Sequence, residues 1–226
     1  MKKTTIFAPD DYCIGIYGLP GTGKTTTLAA IATASMNGKR FLEIPPHERV
    51  FSTIPIPECY ELEPEMIGQV DLSDSLLLID EATLFWDSRD WKTTPKHVRE
   101  FFAIHRHQKI SICMVTQTFN GLDKRIRDMC QYHYLLEKAP IFDGISILKQ
   151  IVHKQDVYNY KPDDRYMIAP VLQWKPIIRK QYYSLFDTYA VHREYEPFEP
   201  VLYSGRNEKL KRNKQSLLKS LLSKKS

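Results

Sequence analysis

Residues 15 to 30 read GIYGLPGTGKTTTLAA, and the reading of this stretch decides the fold. Gly18, Gly23, Lys24 and Thr25 satisfy G-x-x-x-x-G-K-[ST]. In that pattern successive backbone N–H groups cradle phosphates, the lysine reaches the terminal ones and the hydroxyl holds Mg²⁺. Gly18, Leu19, Pro20, Gly21, Thr22, Gly23, Lys24, Thr25 and Thr26 therefore form the candidate nucleotide site, with ATP and Mg²⁺ as its expected ligands. The surroundings agree. Cys13 to Tyr17 reads as a short buried strand ending where the glycines begin, and Thr25 to Ala32 opens a helix that runs to about Met36. Phosphate then sits on a helix N-terminus, where orphan N–H groups and the dipole favour anions. A glycine turn between two core elements would not call for strand, loop, lysine and helix together.

A second apolar run, Ser75-Leu76-Leu77-Leu78-Ile79-Asp80-Glu81, ends in two carboxylates about fifty-five residues beyond the loop. At the C-terminal edge of a parallel sheet, Asp80 can hold Mg²⁺ through water and Glu81 can orient and polarise a water against the γ-phosphate. Together with the loop they read as a Walker B motif. A third run, Ile110-Ser111-Ile112-Cys113-Met114-Val115-Thr116-Gln117, ends in polar residues. If this strand lies between the other two, Gln117 points at the γ-phosphate and senses it; the other reading is a glutamine that caps the strand end. Upstream, Phe101 to His107 ends a helix in His105, Arg106 and His107, residues that also complement a helix C-terminus.

Between these motifs the pattern alternates. Arg49 to Ile54 reads as a strand, followed by a polar, Pro-rich connection; Thr94 to His107 and Gly121 to Met129 read as helices, Tyr132 to Glu137 and Ile145 to Val152 as strands. Alternating strands and helices predict an α/β fold with a mainly parallel central sheet flanked by helices. The 226 residues, 42% of them hydrophobic, suffice for one such domain, expected over 1–204, and an extension over 205–226.

These residues resemble the additional-strand, catalytic-glutamate division of P-loop ATPases, and within it the FtsK/HerA-like DNA-pumping branch. The closest resemblance is to zonular occludens toxin (Zot)-like ATPase domains, relatives of the filamentous-phage assembly protein, and next to viral genome-packaging ATPases. It rests on GLPGTGKT, SLLLIDEA and HRHQKISICMVTQT, with Tyr183 to Tyr189 echoing an aromatic stretch after the core, and it covers about residues 10 to 190. The resemblance implies an ATP-driven DNA translocase of phage or virus assembly, working with other assembly proteins. It implies a homo-oligomeric ring, a hexamer, with ATP between neighbours and an arginine reaching the next subunit's γ-phosphate. Arg106 matches that position, Arg125 and Arg127 being the reserves; the other reading of Arg106 is a pairing within its own chain, with an acid such as Glu100. Zot-like proteins of filamentous phages typically continue into a membrane span. This sequence contains none, its longest apolar runs being far short of the roughly 18 residues required, so genome packaging and filamentous export both stay open.

The last 22 residues carry Arg206, Lys209, Lys211, Arg212, Lys214, Lys219, Lys224 and Lys225 against Glu208 alone, in a chain whose net charge is +5. Such a tail suits nucleic acid or an anionic membrane surface. Leu210, Leu217, Leu218, Leu221 and Leu222 have helical spacing, so it could become amphipathic on a partner, or remain a solvated extension. Cys13, Cys59, Cys113 and Cys130 form no C-x-x-C pair, which fits a reducing, cytoplasmic setting in the host cell, peripheral to the membrane at most. The histidines show no ligand spacing, so no zinc is expected. Tyr158, Tyr160, Tyr166, Trp174, Tyr182 and Tyr183 are read as closing the core in preference to stacking on bases. Two other functions fit a phosphate loop: a nucleotide switch, against which stand Glu81 and the lack of N-K-x-D, and a small-molecule kinase, whose acceptor contacts would come from Asp163 to Arg193.

Overall fold

The structure, a computed structural model, describes residues 12–90, 94–152, 167–168 and 174–185. The tail, the boundary expected at 204/205, Tyr158, Tyr160, Tyr166 and most of the aromatic stretch from 183 to 189 lie outside the described residues.

Three strands bury every residue: β1 (Cys13–Tyr17), β4 (Ser75–Ile79) and β5 (Ile110–Thr116). Continuous apolar runs of this kind belong to a parallel sheet covered on both faces. With β2 (Arg49–Ser52) and β3 (Tyr60–Glu61) they form a parallel block in the order β3-β2-β4-β5-β1. The strand ending at Thr116 thus stands between the phosphate-loop strand and the carboxylate strand: Tyr17 is opposite Thr116, and Ile79 opposite Met114. This is the additional-strand arrangement. Beyond β1 the sheet continues with β6 (Tyr132–Lys138), still parallel, and then reverses. β7 (Ile145–Val152), β8 (Met167–Ile168) and β9 (Trp174–Ile178) are antiparallel, β9 lying on β7. Among the described residues the sheet has nine strands.

Alternation along the strands makes two cores. Ile14, Ile16, Leu76, Leu78, Cys113 and Val115 face α1 (Lys24–Met36), whose Leu28, Ala29, Ile31 and Ala32 are buried with them. Cys13, Leu77, Ile79, Ile112 and Met114 face α2 (Lys96–Ile104) and α3 (Lys124–Met129), meeting Val98, Phe101, Phe102 and Ile126. Trp86 closes this side edge-on to Phe102, with ring centroids 5.2 Å apart.

Boundaries move for local reasons. β2 stops at Ser52, whose hydroxyl accepts from Ile54 N at 3.2 Å, and Pro55 cannot extend a ladder. The helix expected over Thr94 to His107 is α-helical from Lys96, after Pro95 in extended conformation, and tightens into a 3₁₀ turn at His105–Gln108. There the His105 ring nitrogen Nδ1 lies 2.7 Å from the Phe102 carbonyl oxygen. Lys109, at φ 54°, ends the turn and starts β5.

Candidate functional site

The loop between β1 and α1 has its glycines where the backbone requires them. Gly23 is at φ 93°, and a Cβ on Gly18 would stand 2.6 Å from Thr22 Oγ1 and 2.8 Å from the Leu136 carbonyl oxygen. Gly18 N donates to the Thr116 carbonyl at 3.1 Å, tying the loop to β5. The N-terminus of α1 has neither a side-chain cap nor an acidic residue in its first turn. Its leading N–H groups thus face the loop with no side chain of the helix's own first turn capping them, the condition for binding an anion. Lys24, 9% exposed, folds over the loop and donates to the carbonyls of Gly18 at 2.9 Å and Leu19 at 3.4 Å. Burial lowers its pKa, partly offset by Glu81 and Asp80.

The two carboxylates meet this loop at the C-terminal ends of the strands. Thr25 Oγ1 donates to Asp80 Oδ2 at 3.1 Å. Asp80 is held through its own backbone, its N donating to Thr53 Oγ1 at 2.9 Å, while its Oδ1 accepts from Glu81 N at 3.1 Å. Burial raises the Asp80 pKa and the Thr25 hydrogen bond lowers it. A hydroxyl and a carboxylate set together at a helix start, with the carboxylate's charge disfavoured by burial, suit a hard divalent cation.

Glu81 adopts the left-handed conformation, φ 45° and ψ 55°, unusual for a residue with a side chain. Its Oε1 accepts from Thr83 Oγ1 at 2.8 Å, Thr116 Oγ1 at 3.2 Å and Gln117 N at 3.4 Å. β4 and β5 thus jointly aim one carboxylate. Gln117, exposed at the end of β5, borders this site and a cavity of about 690 Å³ lined by Tyr17, Phe119, Leu135 and Ile151.

The structure brings the loop, Thr25, Asp80, Glu81 and Gln117 together. It leaves Arg106 apart, exposed on the 3₁₀ turn before β5 and so at the opposite edge of the sheet. Glu100 pairs with Lys96 at 3.1 Å. Arg127 is engaged by its own chain, its Nη1 donating to Phe119 O at 2.9 Å with the guanidinium over the Phe119 ring. Thr53, Thr83, Ser146 and Arg179 are site neighbours that the motifs did not name. Thr83 lies two residues past Glu81, a spacing that could have suggested it. Ser146 and Arg179, 124 and 158 residues from their loop partners, left no local signal. Among the described residues no cluster of three His, Cys, Asp or Glu could hold a metal ion, and no helix is long and apolar enough to cross a membrane.

No curated protein matches the chain. Among solved structures, the N-terminal domain of zonular occludens toxin from Neisseria meningitidis is 23% identical, with TM-score 0.44 over 62% of this chain and 83% of that one. The genome packaging NTPase B204 of Sulfolobus turreted icosahedral virus 2, solved with ATP-gammaS, is 10% identical, with TM-score 0.46 over 64% and 93%. The RadB recombinase is 13% identical, with TM-score 0.42 over 75% and 87%. The family model of zonular occludens toxin (Zot) matches residues 31–193, from the middle of α1 through both carboxylates, β5 and the antiparallel arm. The phosphate loop precedes that span, and its sequence and geometry make the chain a P-loop NTPase independently of the match. With most of its length matched, the chain belongs to the Zot family.

Proposed function

We propose that the protein is an ATP-hydrolysing motor of phage or virus assembly that moves DNA, in genome packaging or in filamentous export. The observation that carries the hydrolase reading is the Glu81 carboxylate, aimed by Thr83, Thr116 and Gln117 beside a phosphate loop whose lysine and threonine are in place. A binding-only switch has no need of a carboxylate held in a strained backbone conformation by two strands.

In this reading the loop N–H groups and Lys24 bind the polyphosphate of ATP, and Thr25 and Asp80 hold Mg²⁺. Held there, the ion would supply positive charge against the charge that develops on the phosphates. Glu81 orients the attacking water and accepts its proton. Gln117, just past the end of the strand shared by both halves of the site, senses the γ-phosphate, and Arg106 completes a neighbouring subunit's site in a homo-oligomeric ring, a hexamer. DNA, other assembly proteins and a membrane surface met by the basic tail are the proposed partners, in the host cytoplasm.

The test is the ATPase rate of the purified chain with and without DNA. Stimulation by DNA supports the motor; stimulation by a small phosphate acceptor, with transfer of phosphate to it, would replace it with a kinase.

A further inference from the structure

The antiparallel arm beyond the parallel sheet returns to the phosphate loop and grips it from outside. Arg179, directly after β9, is 7% exposed. Its Nη1 donates to the Gly21 carbonyl at 3.2 Å, and its Nη2 donates to the Asp143 carbonyl at 2.6 Å and pairs with the Asp143 carboxylate at 3.5 Å. Its own backbone N donates to Gly144 O at 2.8 Å, which fixes the residue on the turn between β6 and β7. The stem lies along Gly23, where an added Cβ would stand 2.6 Å from Arg179 Cδ. Next to it, Ser146 Oγ donates to the Thr22 carbonyl. The Nε of Arg179 is buried without a hydrogen-bond partner.

Two consecutive carbonyls of the loop, those of Gly21 and Thr22, are thereby held by the arm. A trans peptide unit is planar, so fixing a carbonyl on one side fixes the following N–H on the other. Holding the Gly21 carbonyl sets the Thr22 N–H, which closes the loop's turn onto the Leu19 carbonyl at 3.2 Å. Holding the Thr22 carbonyl sets the Gly23 N–H, at the entry to α1. A buried arginine spends its donors on carbonyls only at a cost in desolvation, more so with Nε unpaired. Here it fixes the one loop whose N–H directions decide phosphate affinity.

We propose that Arg179 is a positioning residue for nucleotide binding, acting within its own chain: its fork clamps the phosphate loop to the β6–β7 turn and presets the loop for the phosphates shared by nucleoside di- and triphosphates. The proposal rests on the reading of the loop as a nucleotide site. It assigns Arg179 a role unlike that of Arg106. Loss of Arg179 weakens binding of ATP and ADP alike and leaves turnover at saturation in place, because its fork is taken up by the Gly21 and Asp143 carbonyls and acts through the loop backbone.

The experiment measures Kd for ATP and ADP, kcat at saturating ATP and the nucleotide-free melting temperature for the parental chain, Arg179→Ala and Arg179→Lys. Removing a charge-assisted hydrogen bond predicts a rise in both Kd values of about ten- to a hundredfold for Arg179→Ala. Arg179→Lys keeps the charge but cannot bridge the Gly21 and Asp143 carbonyls together, so its Kd rises as well, by less. In both variants kcat stays within about threefold and, in Arg179→Lys at least, the melting temperature holds. Parental Kd values in Arg179→Lys and Arg179→Ala overturn the proposal. So does a fall in kcat with unchanged Kd, or, should Arg179→Ala not fold, a loss of affinity in Arg179→Lys that only follows a loss of melting temperature. If the parental chain itself binds neither nucleotide, the nucleotide reading fails and takes the proposal with it, an outcome distinct from the others.

Discussion

Asp80 and Glu81 are adjacent, both acidic and both within reach of the loop, yet their surroundings give them different work. Asp80 accepts from Thr25 Oγ1 and from Glu81 N, and burial raises its pKa. A carboxyl whose pKa rises on folding stabilises the fold while protonated, and that contribution is lost as pH rises through the folded value. At neutral pH the charge on Asp80 therefore weakens the nucleotide-free protein. Asp80→Asn should melt higher than the parental chain at neutral pH, each kcal/mol gained appearing as about 2–4 °C in a protein of this size. The difference should shrink towards acid pH, where the parental carboxyl is protonated as well. The same variant should lose the extra stabilisation that Mg²⁺ adds to nucleotide, because the amide carries no charge for the ion. A lower melting temperature at neutral pH would contradict this account. Glu81 is instead held by three donors on one oxygen. Glu81→Gln should bind ATP with near-parental affinity and lose hydrolysis, since the carboxylate acts only on the attacking water. Turnover at the parental rate in that variant would remove Glu81 from the mechanism.

At the scale of elements, the legible parts are those whose signal is local. β1, β4 and β5 are unbroken apolar runs ending in glycine, acid or amide, and each was readable to within a residue because a strand buried on both faces needs no alternation. The placing of β5 between β1 and β4 was conditional in the sequence, since strand order is set by long-range pairing; the structure supplies it through the Tyr17–Thr116 and Ile79–Met114 registers. β3 was invisible: two exposed residues paired to β2 carry no periodicity. The turn to antiparallel pairing after β6 also escaped, because β6 and β7 each read as strands whichever way they run. Arg179 was missed for the same reason. It is one arginine in a stretch without clear pattern, and its meaning comes only from β9 lying on β7 and bringing it to Gly21. The site was thus legible in its phosphate loop and acids, where chemistry fixes residue type and spacing, and illegible in the arm that braces them.

For the whole molecule the central question is whether one chain makes a complete site. Arg106 lies just before β5 and Gln117 just after it, and the seven residues of that strand, at about 3.3 Å each, separate the two by roughly 20 Å. An arginine side chain cannot cross that distance, so Arg106 acts on a second chain's nucleotide or on none. An arginine supplied across an interface stabilises transition-state charge and is worth on the order of 10³ to 10⁵ in turnover in P-loop enzymes. Arg106→Ala should accordingly bind ATP and hydrolyse it poorly, while Lys24→Ala should fail to bind it. Mixed together, the two inactive proteins should recover part of the parental rate. At some interfaces the Lys24→Ala chain contributes an intact Arg106 to the intact phosphate loop of the Arg106→Ala chain. The recovered activity should rise and fall with mixing ratio and peak near equal amounts, as a site assembled from two chains requires. Labelled subunits would confirm exchange in the same samples. A mixture that exchanges and assembles yet stays inactive would exclude Arg106 as the arginine acting between chains. Full turnover by isolated monomers would go further and exclude a shared site.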